Sequence, residues 1–299
     1  MTGHPRHRFG AEPGLWLLLL PYLIGLIALV AVPAAVTLGL AAFDYDLVRP
    51  PVFAGLDNVG RLMADDVFAI TVRNSVSFVL LSVPLRLLAA LGLALLLHRP
   101  TMRGGGAYRV IVLLPIVIPE VALAIAWLWV FNPLHGPLNA VLASIGLGPV
   151  AWLTDPGSTQ LAMVVVSVFA IGEAFIVAIA ARRAIPADLN DMAIVDGASS
   201  SRMLRHVTLP LMLPILVLLV LRDVVFALQA TFVPSLVMTG GGPPPYATTY
   251  GPLFIYQQAF EFLRYGYAAA AAAFFLLLSG VLVLVQVRLL RRWRHWAWA

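Results

Sequence analysis

The stretch "DLNDMAIVDGASSSRMLRHVTLP", from Asp188 to Pro210, decides how the chain is read. It carries three acids, three consecutive serines, two arginines and a histidine, and it lies between two long apolar runs. Pro186 suits the first turn of a helix, and Asp188 suits its positively polarised N-terminal end. The spacing predicts a helix that runs to about Val195 and stops before Gly197. Leu189, Met192 and Ala193 recur at i, i+3 and i+4 and form a small apolar stripe, with Asp188 and Asp191 off it. Gly197 can take the left-handed conformation that reverses a chain. Ser199 or Ser200 can cap a second short helix, and Pro210 marks the return to apolar sequence. The expected product is a compact knob of two short helices. A spacer does not need an ordered knob with its own apolar stripe, whereas a docking element does.

The rest of the chain is oily. Of its 299 residues, 61% are hydrophobic and 11% charged, against about 25% charged in a soluble domain. The apolar residues come in six runs of about the 20 residues that a membrane helix needs. They lie near 15–42, 75–97, 109–131, 159–181, 211–238 and 268–290. The expected fold class is therefore an all-α polytopic membrane protein with six transmembrane helices. The first run is too long for the apolar core of a signal peptide and lacks an A-x-A cleavage site, so it is kept as a span.

Arginine places the ends. There is no lysine. Arg6, Arg8, Arg99, Arg103, Arg109, Arg182, Arg183, Arg202, Arg205, Arg288, Arg291, Arg292 and Arg294 fall on one side of the six runs, and only Arg49, Arg61, Arg73 and Arg264 on the other. The positive-inside rule then puts both termini and the opening stretch in the cytoplasm. The expected division is a cytoplasmic segment 1–14, a membrane domain 15–290 with a cytoplasmic loop 182–210, and a cytoplasmic tail 291–299. Trp293, Trp296 and Trp298 fit an interfacial anchor for the last span.

Composition also excludes chemistry. With no cysteine there are no disulfides or thiolate metal sites. The six histidines are scattered without ligand spacing, so no metal site is expected. A P-loop needs its lysine on the phosphates, so this chain is not itself a P-loop ATPase. No His/Asp/Glu grouping at one membrane face suggests catalytic residues. The net charge of +5 follows from topology and does not call for nucleic acid.

Five charges fall in or near the spans: Arg86, Glu120, Glu173, Arg222 and Asp223. Each costs about 2.5–3.5 kcal/mol if it faces lipid. Interhelical pairing, such as Arg86 with Glu173 or Arg222 with Glu120, is one reading. A proton relay is the other, although no histidine lies deep in a span. In the fifth run Gln229 and Thr231, with Phe226 and Phe232 nearby, form a polar and aromatic set. It suits either a pore that passes sugars or helix packing. "TGGGPPPY", Thr239 to Tyr246, cannot continue a helix. Gly240, Gly241, Gly242 and Pro243 make either a plain turn or part of an outer gate or docking surface.

Asp191-Met192-Ala193-Ile194-Val195-Asp196-Gly197-Ala198, followed by Leu209-Pro210, resembles the EAA loop of permease subunits in binding-protein-dependent ABC importers. "FAGLDNVGRLMADDVF" (Phe53–Phe68), "LLPIVIPEVALAIAWLWVFNPLHGPLN" (Leu113–Asn139) and "LVMTGGGPPPYAT" (Leu236–Thr248) resemble further segments of the maltose and glycerol-phosphate type of these permeases, in the same order. Asp191 stands where the family has Glu, Met192 where it has Ala, and Leu204 where an aromatic is common. The resemblance implies a type I ABC importer transmembrane domain in a bacterial plasma membrane. Leu189, Asp191, Met192, Ala193, Asp196, Gly197 and Ala198 would form a coupling helix docked on an ABC ATPase dimer. ATP and Mg would sit on that partner, and this chain would hold no cofactor. A second, homologous permease and an extracytoplasmic solute-binding protein would complete the assembly, and the substrate would be a sugar or disaccharide, or else an amino sugar or a glycerol-phosphate derivative. An ion-driven secondary transporter is the alternative. The membrane acids favour it, but the knob and the expected lack of paired broken spans stand against it.

Overall fold

In the computed structural model of the chain, residues 13–98, 105–243 and 246–297 are described. Arg6, Arg8, Arg99, Arg103 and Trp298 lie outside the described residues, as do the side chains of Trp293 and Trp296. Prolines and caps divide the apolar runs into helices. α1 (Pro13–Leu26) passes through a π-helical turn, Ile27–Ala31, into α2 (Val32–Leu40). A second π turn, Leu204–Thr208, precedes Leu209-Pro210 in the same way that the first precedes Val32-Pro33. A proline has no N–H to donate, and a locally widened turn lets the helix continue past it.

After α2 comes a two-stranded antiparallel clasp. β1 (Phe43–Asp44) pairs with β2 (Val52–Phe53), with Phe43 opposite Phe53. α3 (Asp57–Met63) leads into α4 (Asp66–Leu97). The Asp65 carboxylate accepts the N–H groups of Val67 at 2.8 Å and Phe68 at 3.2 Å. This cap starts α4 nine residues before the 75 expected, because hydropathy sees only the part of a helix that is oily. At about 1.5 Å per residue its 32 residues exceed a hydrocarbon core of about 30 Å.

The third and fourth apolar runs are broken. α5 (Gly105–Val117) and α6 (Glu120–Val130) meet at 105°. Pro119 is extended (φ −54°, ψ 135°) and disfavours helical backbone at Ile118. α7 (Pro137–Ser144) lies in the following loop. α8 (Pro156–Phe169) and α9 (Gly172–Arg183) meet at 46° across Ala170 and Ile171. Asp155 caps α8; the Ser158 N–H donates to it at 3.0 Å, and that bond holds its carboxyl below the usual range. Then follow α10 (Ala187–Val195), α11 (Ser200–Met203), α12 (Leu209–Gln229), α13 (Phe232–Pro234), α14 (Gly251–Tyr256) and α15 (Tyr265–Ala297). Among the described residues four helical runs are long and apolar enough to span a membrane, and the two bent pairs make six if each is one span. The expectation of no paired broken spans is corrected: two are broken, side by side in the chain.

α4 is the central post. Its C-terminal half packs Ala90, Ala94 and Leu97 against Ala174, Phe175 and Ala178 of α9 and Met212 and Leu216 of α12. Alanine at the contact lets the backbones approach closely. Its middle, Phe78, Val79 and Val83, meets Met163 of α8, Val224 and Leu228 of α12, and Tyr250. Its start packs Phe68 against Phe254, Phe274 and Phe275, with ring centroids 5.5, 5.0 and 6.1 Å away.

The loops at that end hang on buried asparagines. Asn58 donates to the carbonyls of Ala41 and Phe43 at 2.9 Å each. Asn139 donates to Pro133 and Val150 at 3.0 Å, and its carbonyl accepts from Val150 N–H at 3.2 Å and Trp152 Nε1 at 2.9 Å. Asn139→Ala removes all four bonds and leaves buried backbone groups unpaired, at about 1–3 kcal/mol each. The expected outcome is a lowered thermal unfolding midpoint of the detergent-purified chain, and Asn139→Gln should recover little of it, because the longer side chain misplaces the amide. An unchanged midpoint in Asn139→Ala contradicts this role.

Candidate functional site: a charged cavity at the helix breaks

The breaks in α5–α6, α8–α9 and α12–α13 converge. A cavity of about 230 Å³ is lined by Ile118, Glu120, Ala170, Glu173, Ala230 and Thr231 from those three places, and by Phe78 and Arg86 of α4, Ser167 of α8 and Phe226 of α12. Of the four residues Phe226, Gln229, Thr231 and Phe232 singled out in the fifth run, Phe226 and Thr231 line this cavity. Gln229 is exposed and does not line the cavity; it continues the exposed row Arg222–Phe226 on α12 at i, i+4, i+7. Phe232 lies past the helix end and packs on Tyr256, centroids 5.3 Å apart. The Thr231 hydroxyl is buried, and no side chain or backbone group among the described residues pairs with it.

The charges form one chain. Arg86 and Asp223, 2% and 1% exposed, meet at 3.4 Å. Arg86 Nη1 also donates to the Ser167 carbonyl at 2.8 Å and its hydroxyl at 3.3 Å. Arg222 donates to Asp223 at 3.1 Å and pairs with Glu173. Both guanidinium carbons lie over the Phe226 ring, 5.2 and 4.9 Å from its centroid. Pairing is therefore right and the partners are corrected: Arg86 takes Asp223, and Arg222 takes Glu173. α4 packs on both α9 and α12, but Asp223 is buried between the helices whereas Glu173 is exposed, so Arg86 meets Asp223. Glu120 makes no ion pair among the described residues. Sequence periodicity had no means of choosing among these partners.

The glycine turn is a plug that packs against buried chain. Gly240, Gly241 and Gly242 all have positive φ, at 59°, 106° and 87°. A Cβ on Gly242 would stand 2.7 Å from Thr248 Oγ1 and 2.9 Å from its nitrogen. Thr248, Thr249 and Tyr250 are buried behind it. Asn74 of α4 donates to the Tyr246 carbonyl at 2.8 Å and the Thr249 carbonyl at 3.3 Å, and Gln160 of α8 donates to Asn74 Oδ1 at 3.1 Å. Irregular backbone inside a membrane domain survives only when protein satisfies it, and these two amides do so. The turn is thus packed into the bundle. Only Gly240 of the glycines is exposed; Pro243 is half-buried. The polar pair Asn74 and Gln160 was the missed signal, on otherwise oily spans.

At the arginine-rich end lies the knob. α10 ends where expected. Gly197 has φ 74°, its N–H bonds the Ile194 carbonyl at 3.0 Å, and the Ala198 N–H bonds the Ala193 carbonyl at 2.9 Å. This pair of bonds is a Schellman motif. Leu189, Met192, Ile194 and Val195 are 37%, 63%, 61% and 86% exposed, and Ala193 is half-buried. Asp191 and Asp196 are exposed too, and Ala198 is half-buried. Asp188, Met192 and Val195 share a column at i, i+4, i+7, so the exposed surface mixes acid with oil beside the stripe. Ser199 caps α11 by accepting the Arg202 N–H at 3.4 Å. The expected second short helix does not end, however. Helix runs on from Ser200 through Gln229, because the π turn absorbs Pro210, and resumes after a turn at Ala230 and Thr231. Beside the knob, burial first, and then Arg182, Arg183 and Arg109, hold the His98 imidazole below its usual range. Arg109 donates to the Leu97 carbonyl at 2.7 Å, at the negative end of α4.

An exposed acid-and-oil knob, one helix joining it to a cavity, and broken apolar spans around that cavity define a membrane transport subunit. The chain belongs to the family of binding-protein-dependent transport system inner membrane components, which it matches over residues 90–295. It is a multi-pass inner-membrane permease subunit of an ABC import system and not an enzyme. It is 30% identical over 280 residues to the probable ABC transporter permease protein YesP of Bacillus subtilis, covering 92% of this chain and 90% of YesP. To the trehalose/maltose transport system permease protein MalF of Thermococcus litoralis it is 31% identical, covering 93% and 94%. A crystal structure of a bacterial ABC transporter for import of the acidic polysaccharide alginate superposes with TM-score 0.82 at 26% identity, over 93% of this chain and 95% of that one. That alginate transporter has also been solved with its periplasmic protein bound to an alginate pentasaccharide.

Arg86→Ala leaves Asp223 charged and unpaired inside the bundle. Losing one partner of a buried pair costs about 3–5 kcal/mol. The expected result is loss of folded chain in detergent by size exclusion, with recovery in the double variant Arg86→Met/Asp223→Leu.

Proposed function

We infer that the chain is the carbohydrate-conducting permease of its importer. The relatives named for trehalose and maltose, for lactose, and for xylose and arabinose support a sugar cargo, as does a cavity that combines aromatic faces with an unpaired hydroxyl. Both termini and the knob lie in the cytoplasm, in keeping with the arginine count, and residues 15–290 form the membrane domain. Leu189, Asp191, Met192, Ala193, Asp196, Gly197 and Ala198 dock on an ABC ATPase dimer, which carries the ATP and Mg. A second, homologous permease faces the cavity, and an extracytoplasmic binding protein delivers sugar near the Gly240–Pro243 plug.

The observation that carries this reading is the unbroken helix Ser200–Gln229. It begins at the second helix of the knob and contains Arg222, Asp223 and Phe226, and Thr231 lies in the turn that follows it. Closure of the ATPases would push the knob, and a stiff helix would deliver the displacement to the cavity wall. Met192→Glu and Val195→Glu alter side chains 63% and 86% exposed, so insertion and folding should be unchanged. ATPase recovered with the chain in a mild-detergent pull-down should fall at least about tenfold, equal to about 1.4 kcal/mol of docking energy. Full recovery with sugar-stimulated ATP hydrolysis would refute the coupling role.

A further inference from the structure

We propose that this cavity selects carbohydrates that carry no negative charge, and that Glu120 is the residue that sets the preference. The proposal rests on the cavity being the sugar path. Half-helices broken inside a membrane usually turn their positive N-terminal ends toward anionic groups of the substrate. Both such ends here are already occupied by the chain's own acids. Glu120 opens α6 directly after the break at Pro119, and Glu173 sits in the first turn of α9 after the break at Ala170.

The cations are committed as well. Arg86 is held by Asp223 and Ser167, and Arg222 by Glu173 and Asp223, with Phe226 between the two guanidiniums. An anionic sugar would have to pull a guanidinium away from a carboxylate that then stays behind uncompensated. Three acids and two arginines stand in or against the cavity, and the spare one is Glu120, which has no ion-pair partner among the described residues. A neutral sugar meets no such obstacle. Its hydroxyls can donate to the Glu120 carboxylate and pair with the Thr231 hydroxyl, which is 4% exposed and unpartnered. Its apolar ring face can lie on Phe78. At about 230 Å³ the space is below the range of about 300–1,000 Å³ for drug-sized ligands, and so suits one ring at a time.

The test uses the absence of cysteine from the chain. Thr231→Cys places one thiol in the cavity of the assembled importer. Its rates with a cationic and an anionic methanethiosulfonate reagent of similar size are measured by mass spectrometry of this chain. Their ratio is compared with that of free 2-mercaptoethanol. The expected ratio favours the cation by about tenfold over the free thiol, and Glu120→Gln in the Thr231→Cys background should return it to the free-thiol value. A ratio at or below the free-thiol value, or one that Glu120→Gln does not change, overturns the proposal. In a second arm, vesicles carrying the wild-type importer with its binding protein are offered maltose, lactose, glucuronate and glycerol 3-phosphate. Uptake confined to uncharged sugars supports the proposal. Equal uptake of an anionic compound overturns the charge selection and leaves the sugar permease standing. Uptake of none, with another solute class transported instead, refutes the sugar reading on which the proposal rests.

Discussion

A guanidinium in the middle of an apolar bundle has to be neutralised, and the pairing of Arg86 with Asp223 organises much of this molecule. Arg86 stands on α4, the post against which α8, α9 and α12 all pack. Asp223 stands on the helix that begins at the knob. Their contact fixes the rotation of α12 against α4, and this rotation turns Arg222 and Phe226 to the exposed side where the cavity opens. The pair contributes little net stability against an apolar alternative. It contributes register, since no other rotation of the two helices buries both charges together.

The helix breaks have a comparable logic at the cavity. A continuous helix satisfies its own backbone and offers a passing solute only side chains. Pro119 interrupts the third span, and Ala170 and Ile171 interrupt the fourth. Each interruption frees backbone groups and turns a helix end inward. Placing a glutamate in the first turn beyond each break stabilises that end through the helix dipole. It also gives the cavity its polar lining. Structural economy and substrate chemistry thus meet in the same two residues.

The opposite end is built on a different rule. There the chain is irregular, and side-chain amides stand in for the missing ladder. Asn58, Asn74, Asn139 and Gln160 each bond loop carbonyls that would otherwise be buried unpaired. The plug after α13 is therefore held by α4 and α8, the same helices that wall the cavity. The turn after α13 is tied to the plug as well, because the Ser235 hydroxyl donates to the Thr248 carbonyl across its base.

The sequence by itself determined the membrane class, the six apolar runs, the end of α10 before Gly197 and a serine cap at Ser199 or Ser200. These follow from local chemistry: hydrophobic length, the conformational freedom of glycine and the reach of a serine hydroxyl. It offered pairing of the membrane charges beside a proton relay. It did not determine which charge meets which, that Pro210 is absorbed into one long helix, that α4 starts at Asp66, or that the triple-glycine turn packs on Thr248 and Thr249. Those depend on helix rotation, on π turns and on amides that lie 80 or more residues away, such as Asn74 below Thr249. Periodicity along one segment carries no information about the angle at which a distant segment packs against it, and only the tertiary structure decides that angle.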